Sequence, residues 1–515
     1  VVTFQENNHL AIVDLTTGLT INEFSAGSVE LNNVDTEEED LINLDSTIVK
    51  RAEPDAVAWI DNNSFATANE GDYEDENGEQ GGARGFTIFN QDGTVEFEAA
   101  ESFEHWVVSI GHYNEGRSEN KGCEPEAVEF GIFGKGKKSR KLLFVGSERC
   151  NAVGIYDVAG TTPAPLQILP TGIGPEGLKV IPKRDLFVAS TEKDEAGDGI
   201  PTMINIYELQ DGPALYPMIQ SGSDTNGLPI PWVALSGLAA DPSDADTLYA
   251  VSDSFLAEGF IYTIDVSSHP ALITDRLQIT GASASLDPEG VAVGPDGNFW
   301  VGSEGNTGSR PNLALKIDAT TGAVLDEVEL PADLVDNRRG NGIEGIAVTG
   351  TTGAEIVYVA IQRAWPDEGD TDKVNTKIGR YDVATTNWAF VHYPQEAEGN
   401  GGWIGLSELT DLGGGEFAVI ERDKGWGPTT APNAELKSIY GIDLGTAEFR
   451  AYGEELVTLE KELLFDALPL LEATSIWTTE KLEGFAVTSD GKAFIVTDND
   501  GVDDAPGETV FLRID

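Results

Sequence analysis

The chain has 515 residues, 40% of them hydrophobic, with nine Trp, 21 Phe and 12 Tyr, which is enough apolar material for a large core. Thirty-two Lys and Arg stand against 89 Asp and Glu, a formal net charge of −57, and a chain so poor in cations is ill suited to nucleic acid or anionic membranes, which are bound through phosphate neutralisation. No run approaches the ~20 apolar residues of a membrane helix, and two cysteines are too few for a disulfide scaffold or a thiolate-held metal cluster.

The chain begins Val1-Val2-Thr3 and contains only two Met. That predicts a processed, exported protein, secreted, periplasmic or associated with the cell surface. Its first β-rich stretch, HLAIVDLTTGLTINEFSAG (9–27), matches the later LALKIDATTGAVLDEVELP (313–331), the second half of a repeat. The acidic stretches VDTEEEDLINLD (34–45) and GDYEDENGEQGG (71–82) are expected to be solvated loops.

A strand–turn–strand phrase then recurs eight times. It reads PDAVAWIDNNSFATANEGD (54–72), EPEAVEFG with KLLFVGSER (124–131 and 141–149), PEGLKVIPKRDLFVASTE (175–192) and SGLAADPSDADTLYAVSDS (236–254). It continues as PEGVAVGPDGNFWVGSEG (288–305), IEGIAVTGTTGAEIVYVAIQR (343–363), IGLSELTDLGGGEFAVIER (404–422) and LEGFAVTSDGKAFIVTDND (482–500). Most copies lead into a second β-rich pair, such as FIYTIDV (260–266) or SIYGIDL (438–444). Four short strands per unit at this period are the signature of an all-β propeller. The expectation is one domain over 1–515, with eight blades (seven is the alternative) beginning near 54, 124, 174, 235, 287, 343, 403 and 482. Residues 1–30 would complete the last blade and so close the ring. EELVTLEKELLFDALPLLEAT (454–474) has apolar residues at helical spacing and predicts a helical insertion.

In a blade, the start of the innermost strand and the end of the second share one face. The first position holds Asp55, Glu126, Glu176, Glu289, Glu344 or Glu483; the second holds Glu70, Glu148, Glu192, Asp253, Glu304, Glu421 or Asp498. Two carboxylates ~6 Å apart repel by about 3 kcal/mol at an effective dielectric near 20, so such rings need protons, basic side chains or a cation. Arg149, Arg363 and Arg422 share the strand-end neighbourhood. Carboxylates mixed with arginines suit Ca²⁺ or another hard divalent cation together with a small phosphorylated or anionic ligand. The candidate metal ligands are Glu70, Asp72, Glu126, Glu176, Glu289, Glu304, Glu344, Glu483, Asp498 and Asp500. The bland alternative is that these acids stitch blade to blade through backbone amides. Cys123 and Cys150 flank Glu126 and Glu148, so neighbouring glutamates would bring the cysteines together, and a disulfide is expected.

Other chemistries lack their residues. No G-x-S-x-G elbow or HExxH occurs, and GIFGKGKK (131–138) puts Lys138 where a phosphate loop needs Ser or Thr.

From about Ser283 onward the chain resembles the phytase-like β-propeller proteins with esterase-like activity, through DPEGVAVGPDGNFWVGSEGN, NGIEGIAV with VAIQR, LSEL with FAVIERD, and LEGFAV with VTDNDG. The first half is similar to secreted propellers of the choice-of-anchor type, through ANEGDYED (68–75), RSENKGCEPEAVEF (117–130), FVGSER (144–149) and PEGLKVIP (175–182). By resemblance to calcium-dependent propeller phytases, these likenesses imply a metal-bridged phosphoester at the channel mouth. The expected activity is phosphoester hydrolysis in which Arg149, Arg363 and Arg422 clamp the phosphate and Glu148 or Glu421 acts as base. The alternative is a non-enzymatic extracellular binding or matrix module stabilised by calcium.

Overall fold

The structure is a computed structural model, and it describes the chain except residues 72–73, 75–77, 79, 137–138, 195–199, 339, 366–373, 428–432, 475–476, 478–480, 503–504 and 515. The described chain is built from small antiparallel sheets. It divides into two compact units, one of 1–232 with 500–508 and one of 233–499 with 509–515. The repeats near 54, 124 and 174 lie in the first unit, and the other five lie in the second.

In the second unit, three sheets are four-stranded meanders whose strands pair in chain order. They run from Pro288–Val293 to Val324–Glu329, from Ile343–Thr351 to Asn387–Pro394, and from Ile404–Gly413 to Glu462–Asp466. Leu235–Ala240, Thr247–Ser252, Phe260–Asp265 and Ala271–Gln278 pair in the same order. The last sheet has three strands, Leu482–Val487, Ala493–Thr497 and Phe511–Ile514. Along the chain the first strand of each sheet lies beside the first strand of the next, and Leu482–Val487 lies beside Leu235–Ala240.

The sequence explains that close approach. A Cβ on Gly290 would meet the carbonyl oxygen of Glu344 at 2.7 Å, and one on Gly345 would meet the carbonyl carbon of Glu408 at 2.6 Å. The recurring EG is therefore an acid followed by the one residue that lets inner strands touch. Between the sheets lie apolar clusters such as Trp300, Ile346, Val359, Trp365 and Phe390, all at most 1% exposed. Each such side chain contributes roughly 1.5–3 kcal/mol of burial.

The first unit holds four-stranded sheets from Val57–Trp59 to Val95–Glu98 and from Pro125–Phe133 to Ala164–Pro170. It also holds a three-stranded sheet of Pro175–Ile181, Leu186–Thr191 and Ile204–Glu208, and a hairpin of Ser28–Val34 with Ser46–Arg51. The N-terminal strands Val2–Phe4, His9–Val13 and Thr20–Ser25 form a sheet of their own and do not complete the last one. Leu10 and Ile12 go into a first-unit core with Leu31, Phe65 and Phe89, so this hydrophobic stripe is already committed.

The expected helical insertion at 454–474 is corrected too. Glu462–Asp466 is the fourth strand of its sheet, and only Leu468–Ala473 is helical. The backbone of Val457 and Leu459 pairs with His392, which holds that stretch extended. Tertiary pairing overrides a short helical period.

Candidate functional site

Every repeat from 125 onward carries a β-bulge at its inner-strand motif. In the second unit the register skips between Pro288 and Gly290, Ile343 and Gly345, and Leu482 and Gly484, leaving Glu289, Glu344 and Glu483 as the extra residues. The same skip leaves Ser407 in one sheet and involves Ser236 in another. A bulge re-aims its side chain and increases the local twist. The acids before each Gly thus leave the sheet face, where they would meet apolar neighbours, and turn toward the end of the unit.

The register also fixes the strand-end positions, which are Asp253, Glu304, Gln362, Arg422 and Asp498. Glu421, expected among them, is one residue out of phase, because Leu406 pairs with Glu421 where Pro288 pairs with Ser303. A slip of one residue reverses the face. Glu421 is fully buried elsewhere. It accepts hydrogen bonds from Lys461 Nζ at 2.6 Å, Tyr393 Oη at 2.9 Å and the Glu396 amide. Burial raises its carboxyl above the ordinary value. Glu421 is therefore not the base of this cluster.

Asp287, Glu289 and Glu304 offer one oxygen each, all within 4.8 Å of one another. Oxygen ligands 2.3–2.6 Å from a Ca²⁺ ion lie at most about 5 Å apart, so the spacing fits such an ion. Glu344 is 3% exposed, and among the described residues its carboxylate accepts no hydrogen bond. Burial first, then the charges of neighbouring acids, pushes Glu289 and Glu344 well above the usual carboxyl range and Glu304 to about 7. Among the described residues, cations offset part of this charge, one of them within the oxygen set itself. Arg310 pairs with Asp287, Arg422 with Glu483 at 2.6 Å, and Lys481 with Asp498 at 2.7 Å. Arg422 also bonds Ser407 Oγ at 3.1 Å. Its guanidinium and that of Arg363 lie over the Trp403 ring, at 5.3 and 4.7 Å. Trp403, which no motif had singled out, carries both. The adjacent Gly405 could have signalled it, since a Cβ there would meet the indole at 2.8 Å.

The first unit has its own cluster, in which Asp55, Glu70 and Glu126 form one close set and Glu70, Glu124 and Glu148 another. Here the acids are met by bases. Lys121 lies 2.9 Å from both Glu70 and Glu124, Arg117 lies 2.5 Å from Glu124, and Arg149 lies 2.8 Å from Glu148. Glu126, with no such partner among the described residues, is pushed up to about 8 by burial and by Glu148, Glu70, Glu176 and Asp55. Burial raises Glu148 to about 7, and it raises Glu176 as well. Arg149 is thus held by acids of its own unit. Asp500 opens the 500–508 segment of this unit, whereas Asp498 belongs to the other. Asp72 lies outside the described residues.

Cys123 and Cys150 are neighbours, as the pairing of Pro125 with Ser147 requires, with sulfurs 2.8 Å apart. Both are nevertheless free, buried thiols, so the expected bond is absent. Burial pushes the Cys123 thiol well above its ordinary value, which suppresses the reactive thiolate.

Raised carboxyls set the sign of the pH dependence. Glu126, Glu148 and Glu304 hold protons up to about pH 7–8 when folded, against an ordinary value of 4.5. Between those limits the folded state binds more protons than the unfolded one, so stability falls as pH rises. In chelator the melting temperature is expected to fall from pH 5 to pH 8, and a flat or rising profile would contradict this charge distribution.

A family model described as "Esterase-like activity of phytase" matches residues 230–501, just over half of the chain, and a choice-of-anchor I domain model matches 76–161. No match to a curated protein is found. Among solved structures, the hydrazine synthase of Kuenenia stuttgartiensis is 12% identical, over 72% of this chain and 92% of that one, with a TM-score of 0.30. The Dos1 propeller is 9% identical over 95% and 93%, with a TM-score of 0.28. Virginiamycin B lyase from Staphylococcus aureus is 12% identical over 74% and 94%, also with a TM-score of 0.28. Likenesses this loose carry no weight for the chemistry of this chain. No helix among the described residues is long and apolar enough to cross a membrane.

Proposed function

Since the chain belongs to the phytase-like family defined by esterase-like activity, we propose that it is an exported, cation-dependent phosphoester hydrolase working at the acid cluster of its second unit. The observation that carries this reading is the oxygen set of Asp287, Glu289 and Glu304, with the buried, unbonded carboxylate of Glu344 beside it. The five sheets around the cluster would act as blades of a ring, with the site at its mouth.

The donors are all hard oxygens, which suits Ca²⁺. A cation held by Asp287, Glu289 and Glu304 would neutralise the cluster and polarise a phosphoryl oxygen. Arg422, anchored by Glu483 and Ser407, and Arg363, braced by Trp403, would bind the non-bridging phosphate oxygens and fix the ester in place. Glu344, buried beside that set and accepting no hydrogen bond among the described residues, would take the proton of the attacking water.

The first unit favours the second reading for itself. Lys121, Arg117 and Arg149 already offset its acids, which fits a structural or binding role. Export to an oxidising compartment would let Cys123 and Cys150 close a bond. Refolding in oxidised glutathione is expected to take the free-thiol count from two to zero and to add about 3–4 kcal/mol to stability. An unchanged thiol count would refute it.

The deciding assay follows chelated protein with Ca²⁺ on p-nitrophenyl phosphate, bis-p-nitrophenyl phosphate and p-nitrophenyl acetate. Turnover of a phosphoester only with the cation is expected. Cation-independent cleavage of the acetate alone would replace the proposed reaction. No turnover of any substrate, with a calcium-dependent rise in melting temperature, would leave the binding module.

A further inference from the structure

The second unit repeats a cross-strand pair that has nothing to do with its acid cluster. Three residues before the position that pairs at the bulge, the second strand of each sheet places one residue against a fixed partner on the third. The pairs are Trp300 with Lys316, Tyr358 with Arg380 and Phe494 with Arg513. Three sheets out of five thus set an aromatic ring beside a cation. In the 288–329 sheet the reason is visible. The Lys316 ammonium lies 5.8 Å from the centre of the Trp300 ring and bonds Asp296 at 2.7 Å and Glu355 at 2.9 Å. An ammonium held between an aromatic face and two carboxylates is favoured by the ring quadrupole as well as by charge.

The 235–278 sheet keeps the ring and loses the cation. Its equivalent pair is Tyr249 with Thr263. A cleft of about 300 Å³ opens there toward the next sheet, lined by Tyr249, Thr263, Phe299, Leu277, Asp241 and Asp275 among others, with no Lys or Arg in the lining. Tyr249 and Phe299 meet edge to face at 4.8 Å between centroids. The Tyr249 hydroxyl donates to Asp241 at 2.8 Å, and Asp241 is held below the usual carboxylate range by its hydrogen bonds against the opposing cost of burial. Asp275 pairs directly with Thr263 across the strands, so a carboxylate borders the place where the other sheets put a side-chain cation. The volume matches the lower end of small-ligand sites.

We infer that this cleft is a binding site for a small primary amine, whose ammonium takes the place that Lys316 fills in the neighbouring sheet. The aliphatic part of the amine would lie on Leu277, Phe299 and Tyr249, and its charge would face Asp275 and Asp241. This site is independent of any hydrolysis at the acid cluster.

The full-length protein is titrated with n-butylammonium chloride, and with n-butanol as the uncharged isostere, by calorimetry and by thermal shift at fixed ionic strength. Millimolar binding of the amine and none of the alcohol is expected. Thr263→Lys supplies the missing cation from within, and it should abolish amine binding while melting at or above the wild-type temperature. Asp275→Asn, at an exposed position, should weaken binding about fivefold, the loss of one partly screened charge contact. Three results would overturn the inference: butanol binding as well as the amine, a folded Thr263→Lys variant binding like wild type, or an Asp275→Asn variant unchanged in affinity.

Discussion

Replacing Glu408 with Ala is expected to remove about 3–5 kcal/mol from the stability of the second unit, the usual cost of breaking a buried polar network on one side. That loss would appear as a fall of roughly 6–20 °C in its melting temperature. Glu408 stands where the other four repeats have Gly, three in an EG step and the fourth, Gly237, in an SG step, and it is 1% exposed. Its carboxylate accepts the Leu238 amide at 2.8 Å and the Leu409 amide at 2.9 Å, and it also accepts the Phe485 amide. These donors belong to three different sheets. Burial raises the carboxyl well above its ordinary value, so it serves as a hydrogen-bond hub. Alanine leaves amides from two neighbouring sheets without an acceptor, at about 1–3 kcal/mol each, and adds a cavity. Glu408→Gln keeps an acceptor oxygen and should lose much less. Urea unfolding followed by Trp fluorescence measures both. An alanine variant within 1 kcal/mol of wild type would remove the hub.

Glu344→Gln should separate stability from activity. The carboxylate is buried among Glu304, Glu483, Glu289 and Asp287, so an uncharged isostere relieves repulsion. Without divalent cation the variant's advantage in melting temperature over wild type should grow as pH rises above the ordinary carboxyl value of 4.5, since the buried Glu344 disfavours its charged form. With Ca²⁺, phosphoester turnover should fall about 10²–10⁴-fold, the share typical of a general base. Stabilising a site at the expense of its chemistry is the usual trade at functional positions. Glu421→Gln is the control: lying on the opposite face of its strand, it should leave the calcium response intact. A Glu344→Gln variant that turns over normally would take this residue out of the reaction, whatever its melting temperature.

The repeat, the strand pairs and the acids of the EG steps were legible in the sequence because each copy obeys the same local rules. Val, Ile and Phe alternate, PDG and TTG mark turns, and an acid precedes Gly. Two readings failed because register and burial, not the acid's identity, decide equivalence. Glu421 looked equivalent to Glu304, but Leu406 pairs with Glu421 as Pro288 pairs with Ser303, so the counterpart of Glu304 is Arg422. Residues 9–27 looked like a missing half-blade, but their apolar face is already buried in a first-unit core. Trp403 beside Arg363 and Arg422, and Glu124 beside Arg149, were invisible because folding and not sequence adjacency brings them together. The division into two units was hidden as well, since the repeat runs on through residue 232 without a change of composition.

One further consequence belongs to the bulges. In every sheet of the second unit, one bulged residue and one strand-end residue are presented away from the inter-sheet core. Seven of these ten side chains are nevertheless buried, and they hold one another in place, as Glu483 holds Arg422 at 2.6 Å. The present set already mixes Ser236, Ser407, Gln362 and Arg422 with the acids. Ligand preference is thus written in a few letters per sheet, but those letters are coupled, and a designed change at Arg422 needs a matching change at Glu483 if the variant is to keep the stability of the parent.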